Sequence, residues 1–308
     1  MDKLKCIKCK QDAIIVVDDN TKPYCEKHFV EYFEKKVFQT VREYSMIKKN
    51  DHVAVGLSGG KDSTTLLYVL AKLQKKLPFK LSAILIDEGI KGYRDKAYIQ
   101  AKKQAKKLNI PLFRISFKEY TGKSLDKIVK LKQRSGSCTY CGVFRRYLLN
   151  KTAKKIKATK LAIGHNLDDI AQTIILNVIR NEPKRLLRFG PNSPSSSEDF
   201  IPRIQPLAKL AEIEVATYAL IKKLNMHFED CPYAQEAMRQ KVREIVNELE
   251  DRYPGTKKRI FNFLKTLQQN FGQANKEKKI FKCAICSMPS SSKICMACKL
   301  KNEINQKN

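Results

Sequence analysis

Residues 58–63 read Ser-Gly-Gly-Lys-Asp-Ser and lie between two segments of different periodicity. The run before them, 52–57 (HVAVGL), is short and apolar, which suits a strand buried on both faces. The stretch after them, 62–74, carries Leu66, Leu67, Val69, Leu70 and Leu73 at helical spacing. A strand that turns through two glycines into a helix belongs to α/β architecture, and the turn has chemistry of its own. Glycines let backbone N–H groups approach a phosphate, and the helix N-terminus adds positive potential. Lys61 can pair with phosphate charge, and Ser58 and Ser63 can hydrogen-bond to phosphate oxygens. A plain glycine turn capped by Asp62 or Ser63 is the alternative; the strand–loop–helix setting favours the anion site. The loop is not of Walker A type, because only three residues separate Gly56 from Gly60 and Asp62 follows Lys61.

The same alternation continues along the chain. Residues 81–86, 111–117 and 160–163 read as strands, and 96–108, 141–156 and 167–180 as helices. This order predicts a doubly wound parallel sheet with its ligand beyond the carboxyl ends of the strands. Further helices are expected over 212–224, over 235–249 and after Pro254-Gly255. Residues 190–198 (GPNSPSSSE) lack apolar periodicity and read as a loop that orders on binding a partner. The polar tail beyond Cys298 is expected to fray.

Ten cysteines divide this core from its ends. Cys6-x2-Cys9, fifteen residues and Cys25-x2-His28 make one four-ligand set. Cys283-x2-Cys286, eight residues and Cys295-x2-Cys298 make another. Both suit a closed tetrahedral Zn²⁺, and modules this small need the metal in order to fold. The expected organisation is a zinc module over 1–29, a catalytic core over 30–279, and a second zinc module with tail over 280–308. The middle cysteines, Cys138, Cys141 and Cys231, have no fourth partner. They are either buried thiols or a set with one metal position open, which suits a [4Fe–4S] cluster. An iron-free cycle, with a persulfide on Cys141 or Cys231 and another core cysteine resolving it, is the competing use.

No apolar run approaches the roughly 20 residues that span a bilayer, and the start resembles no secretory signal. A cytosolic chain without membrane contact is expected, where cysteines serve metals or catalysis rather than disulfides. With 61 Lys+Arg against 31 Asp+Glu, the formal charge of +30 calls for a polyanionic partner.

A second motif, Gly164-His165-Asn166-Leu167-Asp168-Asp169, follows the fourth strand. Alone it reads as a helix start with a capping Asn166 and two well-placed acids. Together, though, the motifs resemble a family. Residues 58–63 resemble the PP-loop, SGGxDS, of the adenine-nucleotide α-hydrolase group, and 164–169 resemble the GHxxDD element of its RNA-thiolation branch. With the C-x-x-C, the distant third cysteine and the paired zinc modules, nearly the whole chain resembles the PP-loop tRNA 2-thiolation enzymes, of wobble-uridine or T-loop-uridine type. The resemblance implies that ATP is cut between its α and β phosphates and adenylates uridine O2. Pyrophosphate would rest on Ser58, Gly59, Gly60, Lys61, Asp62 and Ser63. Gly164 would let the backbone approach the nucleotide, and Asp62 and Asp169 would work with Mg²⁺. Cys138, Cys141 and Cys231 would hold the [4Fe–4S] cluster from which sulfur is transferred, and His165 has no assigned role. The partner implied is tRNA. The sulfur would come from free sulfide or a ubiquitin-like carrier with a C-terminal thiocarboxylate, and a homodimer is expected. Tyr140, Phe144 or Tyr233 could stack on the uridine or pack in the core. The many Asn, Gln and Cys residues favour the wobble over the T-loop position, which belongs to thermophiles. A PP-loop synthetase for a small molecule would leave the charge unexplained, and a non-catalytic zinc protein would leave the glycine loop unexplained.

Overall fold

The computed structural model describes residues 4–131, 136–193, 200–229, 231–233, 238–271 and 280–306. The chain opens with a hairpin, β1 (Ile15–Val17) and β2 (Lys22–Tyr24), followed by α1 (Glu26–Glu43). The core then runs β3 (His52–Gly56), α2 (Lys61–Leu73), β4 (Lys80–Asp87), α3 (Tyr93–Lys107) and β5 (Leu112–Ser116). Two short helices follow, α4 (Phe117–Thr121) and α5 (Leu125–Lys130), then α6 (Ser137–Lys155), β6 (Lys160–Ala162) and α7 (Leu167–Ile179). After α8 (Pro183–Leu186) come β7 (Asn192–Ser193), β8 (Arg203–Ile204), α9 (Glu212–Ile221), α10 (Met238–Arg252) and α11 (Thr256–Phe271). The chain closes with β9 (Phe281–Lys282), β10 (Pro289–Ser290) and α12 (Met296–Asn305).

The central sheet has the order β5-β4-β3-β6-β8-β7. Its first five strands are parallel, and β7 joins antiparallel at the edge. Strand alternation puts Val53, Val55, Leu81, Ala83 and Leu85 into one core, with Phe29, Phe33, Leu66 and Tyr218. Ala54, Ile84 and Ile86 point to the opposite core, with Phe117, Phe144 and Leu148. Both faces are therefore covered, as the near-continuous apolar strands require. β3 lies between β4, which follows it, and β6, which comes much later, so the sheet reverses winding at β3. The doubly wound reading holds, and the switch point lies between the loops that follow β3 and β6.

Three expectations change. The Cys138–Cys141 segment does not precede a helix: α6 starts at Ser137, because extended Gly136 serves as its N-cap, and both cysteines lie on its first two turns. The tail does not fray at Cys298. It continues as α12 to Asn305, because Ala297, Leu300 and Ile304 recur at helical spacing and are buried, in the same core as α6. The loop reading of 190–198 is right only in part, since Asn192 and Ser193 pair with β8, while 194–199 lie outside the described residues. Two-residue strands are too short to show a period. Likewise, residues 235–237 of the helix expected over 235–249 lie outside the described residues, and α10 runs from Met238 to Arg252. The N-terminal module is continuous with the core, because α1 begins at its ligands and carries Phe29, Phe33 and Val37 into the main cluster.

Candidate active site

The glycine loop is held open by its own side chains. Ser58 N–H donates to Ser63 Oγ at 3.1 Å, the two hydroxyls lie 2.9 Å apart, and Gly60 N–H donates to Ser58 Oγ at 3.3 Å. Gly60 is the N-cap of α2 and offers no side chain, so the first-turn N–H groups stay available to an anion. Gly59 has φ +91°, and a Cβ there would come 2.4 Å from the Ala97 carbonyl oxygen on α3. Glycine is therefore required twice over at this position. Gly164, after β6, packs against the same turn: a Cβ would meet the Asp62 carbonyl carbon and Ser63 nitrogen at 3.0 Å. The close approach that Gly164 allows in this structure is between the two motif loops.

The acids join those loops. Asn166 caps α7, accepting from Asp169 N–H at 3.0 Å, and its amide donates to Asp62 Oδ1 at 3.0 Å. Burial pushes the Asp62 carboxyl up; Lys61 pulls it down and the charge of Asp169 adds to the rise. A sheltered carboxylate whose ionisation is opposed by a neighbouring carboxylate suits a divalent cation. Asp169 also meets Arg239 of α10 at 3.2 Å. Asp168 has a different job. It is buried, accepts from Glu212 N–H at 2.7 Å and is paired with Lys257 of α11, so it locks α7 to α9 and α11. Lys61 reaches Asp62 at 3.2 Å and Glu212 at 2.7 Å. Burial alone would lower Lys61, but these carboxylates outweigh it and raise it, so the cation is secured beside the loop. Burial lowers His165, aided by Arg239, Arg203 and Arg145 against Asp169, which keeps its imidazole neutral.

The middle cysteines lie at the same end of the sheet. Cys138 is exposed, Cys141 buried and Cys231 half-buried. Cys138 Sγ faces the Tyr233 carbonyl at 3.7 Å, which brings α6 and the Cys231 segment together. The guanidinium of Arg145 donates to Cys141 Sγ at 2.9 Å, and Arg145 Nε lies 3.1 Å from Glu88 Oε1. Glu88 Oε2 lies 2.8 Å from Arg94 Nε, and Arg94 donates to the Ser58 carbonyl at 2.8 Å. Tyr140 and Phe144 are fully buried, with the Tyr140 hydroxyl on Glu303, so they pack rather than receive a base. Half-buried Tyr233 donates to Asp126 at 2.7 Å and keeps the position beside the cysteines.

The terminal sets are tight. Among the described residues, the ligand atoms of Cys6, Cys9, Cys25 and His28, and those of Cys283, Cys286, Cys295 and Cys298, lie within 4.8 Å of one another. Sulfurs on a tetrahedral ion with bonds of about 2.3 Å stand about 3.8 Å apart. The spacings here are 3.6 Å for Cys9–Cys25 and 3.7 Å for Cys286–Cys295. Burial opposes ionisation of Cys6 and Cys283, yet backbone N–H groups hold both at about 6, whereas burial and the neighbouring thiols push Cys298 up. Among the described residues, Cys138, Cys141 and Cys231 form no such tight group.

The PP-loop domain family matches residues 29–249. A tRNA-5-methyluridine(54) 2-sulfurtransferase of Pyrococcus horikoshii is 39% identical, over 99% of this chain and 96% of its own. The cytoplasmic tRNA 2-thiolation protein 1 of Dictyostelium discoideum is 37% identical over 91% and 78%. In structure, the U34-tRNA thiolase NcsA of Methanococcus maripaludis, solved with its [4Fe-4S] cluster, superposes with TM-score 0.83 at 34% identity, covering 98% of this chain and 97% of its own. The chain belongs to the PP-loop tRNA 2-thiolation family. It is a transferase acting in tRNA thiolation.

Sequence reasoning about this tRNA 2-thiolation enzyme missed the partners that fix those groups. Glu88, Arg94, Glu212, Arg239 and Arg243 come from separate places in the chain and belong to no motif. Burial lowers Arg146 and Arg203, with neighbouring arginines adding to the effect. Among the described residues neither guanidinium has a carboxylate partner. Uncompensated cations beside the site are the local form of the +30 charge.

Proposed function

We propose that this protein is an ATP-dependent tRNA uridine 2-sulfurtransferase that adenylates uridine O2 and completes 2-thiouridine at the wobble position. The observation that supports it is convergence: phosphate loop, paired acids and three-cysteine set meet at one end of one sheet. The loop N–H groups and Lys61 bind the β and γ phosphates and then pyrophosphate. Asp62 and Asp169 hold Mg²⁺ against the phosphates. Adenylation turns the uridine oxygen into a good leaving group. Cys138, Cys141 and Cys231 would hold a [4Fe–4S] cluster, which when bound supplies an iron position open to sulfide. Arg145 orients Cys141 beneath it, and Arg146 and Arg203 take RNA phosphates, which fixes register rather than base identity. The terminal sets hold two structural Zn²⁺ ions and order their modules. The target uridine must leave its stack at a cost of a few kcal/mol, which is least in an anticodon loop. The U34 specificity of the archaeal neighbour and the relatives' cytoplasmic 2-thiolation names support position 34 and a cytoplasmic setting. The 54-specific relative supports the T-loop as a second reading. Free sulfide or a thiocarboxylate carrier is the donor, and the working form is a homodimer.

The test is anaerobic reconstitution with iron, sulfide, ATP, Mg²⁺ and tRNA, followed by nucleoside mass spectrometry and mapping of the modified fragment. 2-Thiouridine with AMP release, mapped to the anticodon loop, is expected. No thiolation overturns the reading, and thiolation in the T-loop reassigns the position.

A further inference from the structure

Glu88 is the residue after β4, and Arg94 is on the first turn of α3; each is 4% exposed. Their carboxylate and guanidinium lie 2.8 Å apart, and the other carboxylate oxygen lies 3.1 Å from Arg145 Nε on α6. A Glu–Arg pair buried as Glu88 and Arg94 are adds little stability over apolar residues of the same volume, and the third member, Arg145, is exposed. What this one does is connect. On one side Arg94 donates to the carbonyl of Ser58, the first residue of the phosphate loop, and to the carbonyl of Ile86. On the other, Arg145 donates to Cys141 Sγ. A second tie runs through backbone alone: His227 N–H, four residues before Cys231, donates to the Gly59 carbonyl at 2.8 Å. The first two carbonyls of the phosphate loop are thus each held by a group that leads toward one cysteine: Ser58 by Arg94, whose ion pairs reach Cys141, and Gly59 by the His227 N–H, four positions before Cys231 in sequence.

We propose that Glu88 is a positioning residue that couples occupancy of the phosphate loop to the setting of Cys141, while the His227 backbone contact couples the same loop to Cys231 independently. A nucleotide that orders the loop fixes the Ser58 carbonyl. Arg94 and Glu88 carry that order to Arg145, which is then held on Cys141. Loop and thiol act as two sites with a reciprocal coupling free energy. The proposal builds on the reading of Cys141 as a functional thiol, but not on iron being bound.

The test uses the full chain with its terminal metals and without iron. Iodoacetamide labelling of Cys141 and Cys231 is followed by mass spectrometry, with and without a non-cleavable ATP analogue. In the wild type the analogue slows labelling of both cysteines, by about fivefold or more. In Glu88→Gln the effect at Cys141 falls below about twofold while that at Cys231 persists. Arg145→Ala, which removes an exposed side chain and leaves the buried Glu88–Arg94 pair in place, gives the same pattern if Glu88→Gln does not fold. Undiminished slowing at Cys141 in the variants, or no slowing at Cys141 in the wild type, overturns the coupling. Failure of the wild type to take up iron, with the labelling pattern intact, counts against the cluster reading alone.

Discussion

Cys283, Cys286, Cys295 and Cys298 gather their sulfurs within 4.8 Å, and backbone N–H groups of Cys295 and Cys298 point at neighbouring thiols at 3.3 and 3.4 Å. Among the described residues, Cys138, Cys141 and Cys231 form no such tight group, and of the three only Cys231, pushed up by burial, has a backbone N–H, that of Tyr233, lowering its thiol. One is exposed, one is buried under an arginine, and one lies on the segment tied to the phosphate loop. A set of four ligands drawn together, two of its sulfurs supported by main-chain N–H groups, suits a closed ion site. A set that is one ligand short, spread apart and close to the phosphate loop is the one proposed to present a reactive position. On the proposed reading, the same element of chemistry, a C-x-x-C at a helix start, would serve structure at the C-terminal end of the molecule and reaction in the middle.

The sharpest way to break that contrast is substitution at each kind of set. Cys138→Ser or Cys231→Ser should lower tRNA thiolation by at least about a thousandfold with zinc content and melting temperature unchanged. Cys25→Ser should instead release one zinc and lower the melting temperature by about 10 °C, because its set also anchors α1 in the main core. Thermal melts and metal analysis of the variants separate the two; a reversed pattern would exchange the roles assigned to the sets.

Asp169→Asn comes next. It removes one of the paired carboxylates and should lower kcat about a hundredfold, with the apparent Mg²⁺ requirement raised, as read from a metal titration of AMP release. Gly59→Ala should weaken ATP binding about tenfold, because φ +91° and the Ala97 carbonyl oxygen both exclude a Cβ. Calorimetric titration of the nucleotide checks it, and tRNA affinity should not change.

The smallest effect concerns pH. Burial would raise the Glu212 carboxyl, but Lys61, Arg243 and Lys257 outweigh it and hold it below the usual range. A lowered carboxyl contributes stability above its ordinary pKa and loses it as pH falls through the lowered one. The gap in urea midpoint between wild type and Glu212→Gln should therefore be present at neutral pH and shrink as pH falls below the ordinary carboxylate range.

Much of this was legible beforehand because it rests on local pattern. Strand, glycine loop and helix announce themselves within residues 52–74, and both four-ligand sets are fixed by spacing. What could not be read depends on distant contacts. Glu88, Arg94 and Arg145 occupy unremarkable positions in sequence and meet only because β4, α3 and α6 have ends at the same switch point. Asp168 and Asp169 are adjacent in sequence but point into different surroundings, one into a lock with Lys257 and Glu212, the other toward Asp62 and Arg239. Helix phase separates them; the motif resemblance implies the cation role for Asp169, but it says nothing of the lock that Asp168 makes. The α12 tail reads as frayed because its composition is polar, while its few buried apolar residues share one face.

The most direct measurement is metal content of the anaerobically reconstituted chain, beside a triple variant with Cys138, Cys141 and Cys231 changed to Ser. The account predicts about four iron atoms and about two zinc ions per wild-type chain. In the variant it predicts the same zinc, no iron, and no 2-thiouridine. An iron-free wild type that thiolates tRNA at full rate, or a triple variant that keeps its iron, would contradict it.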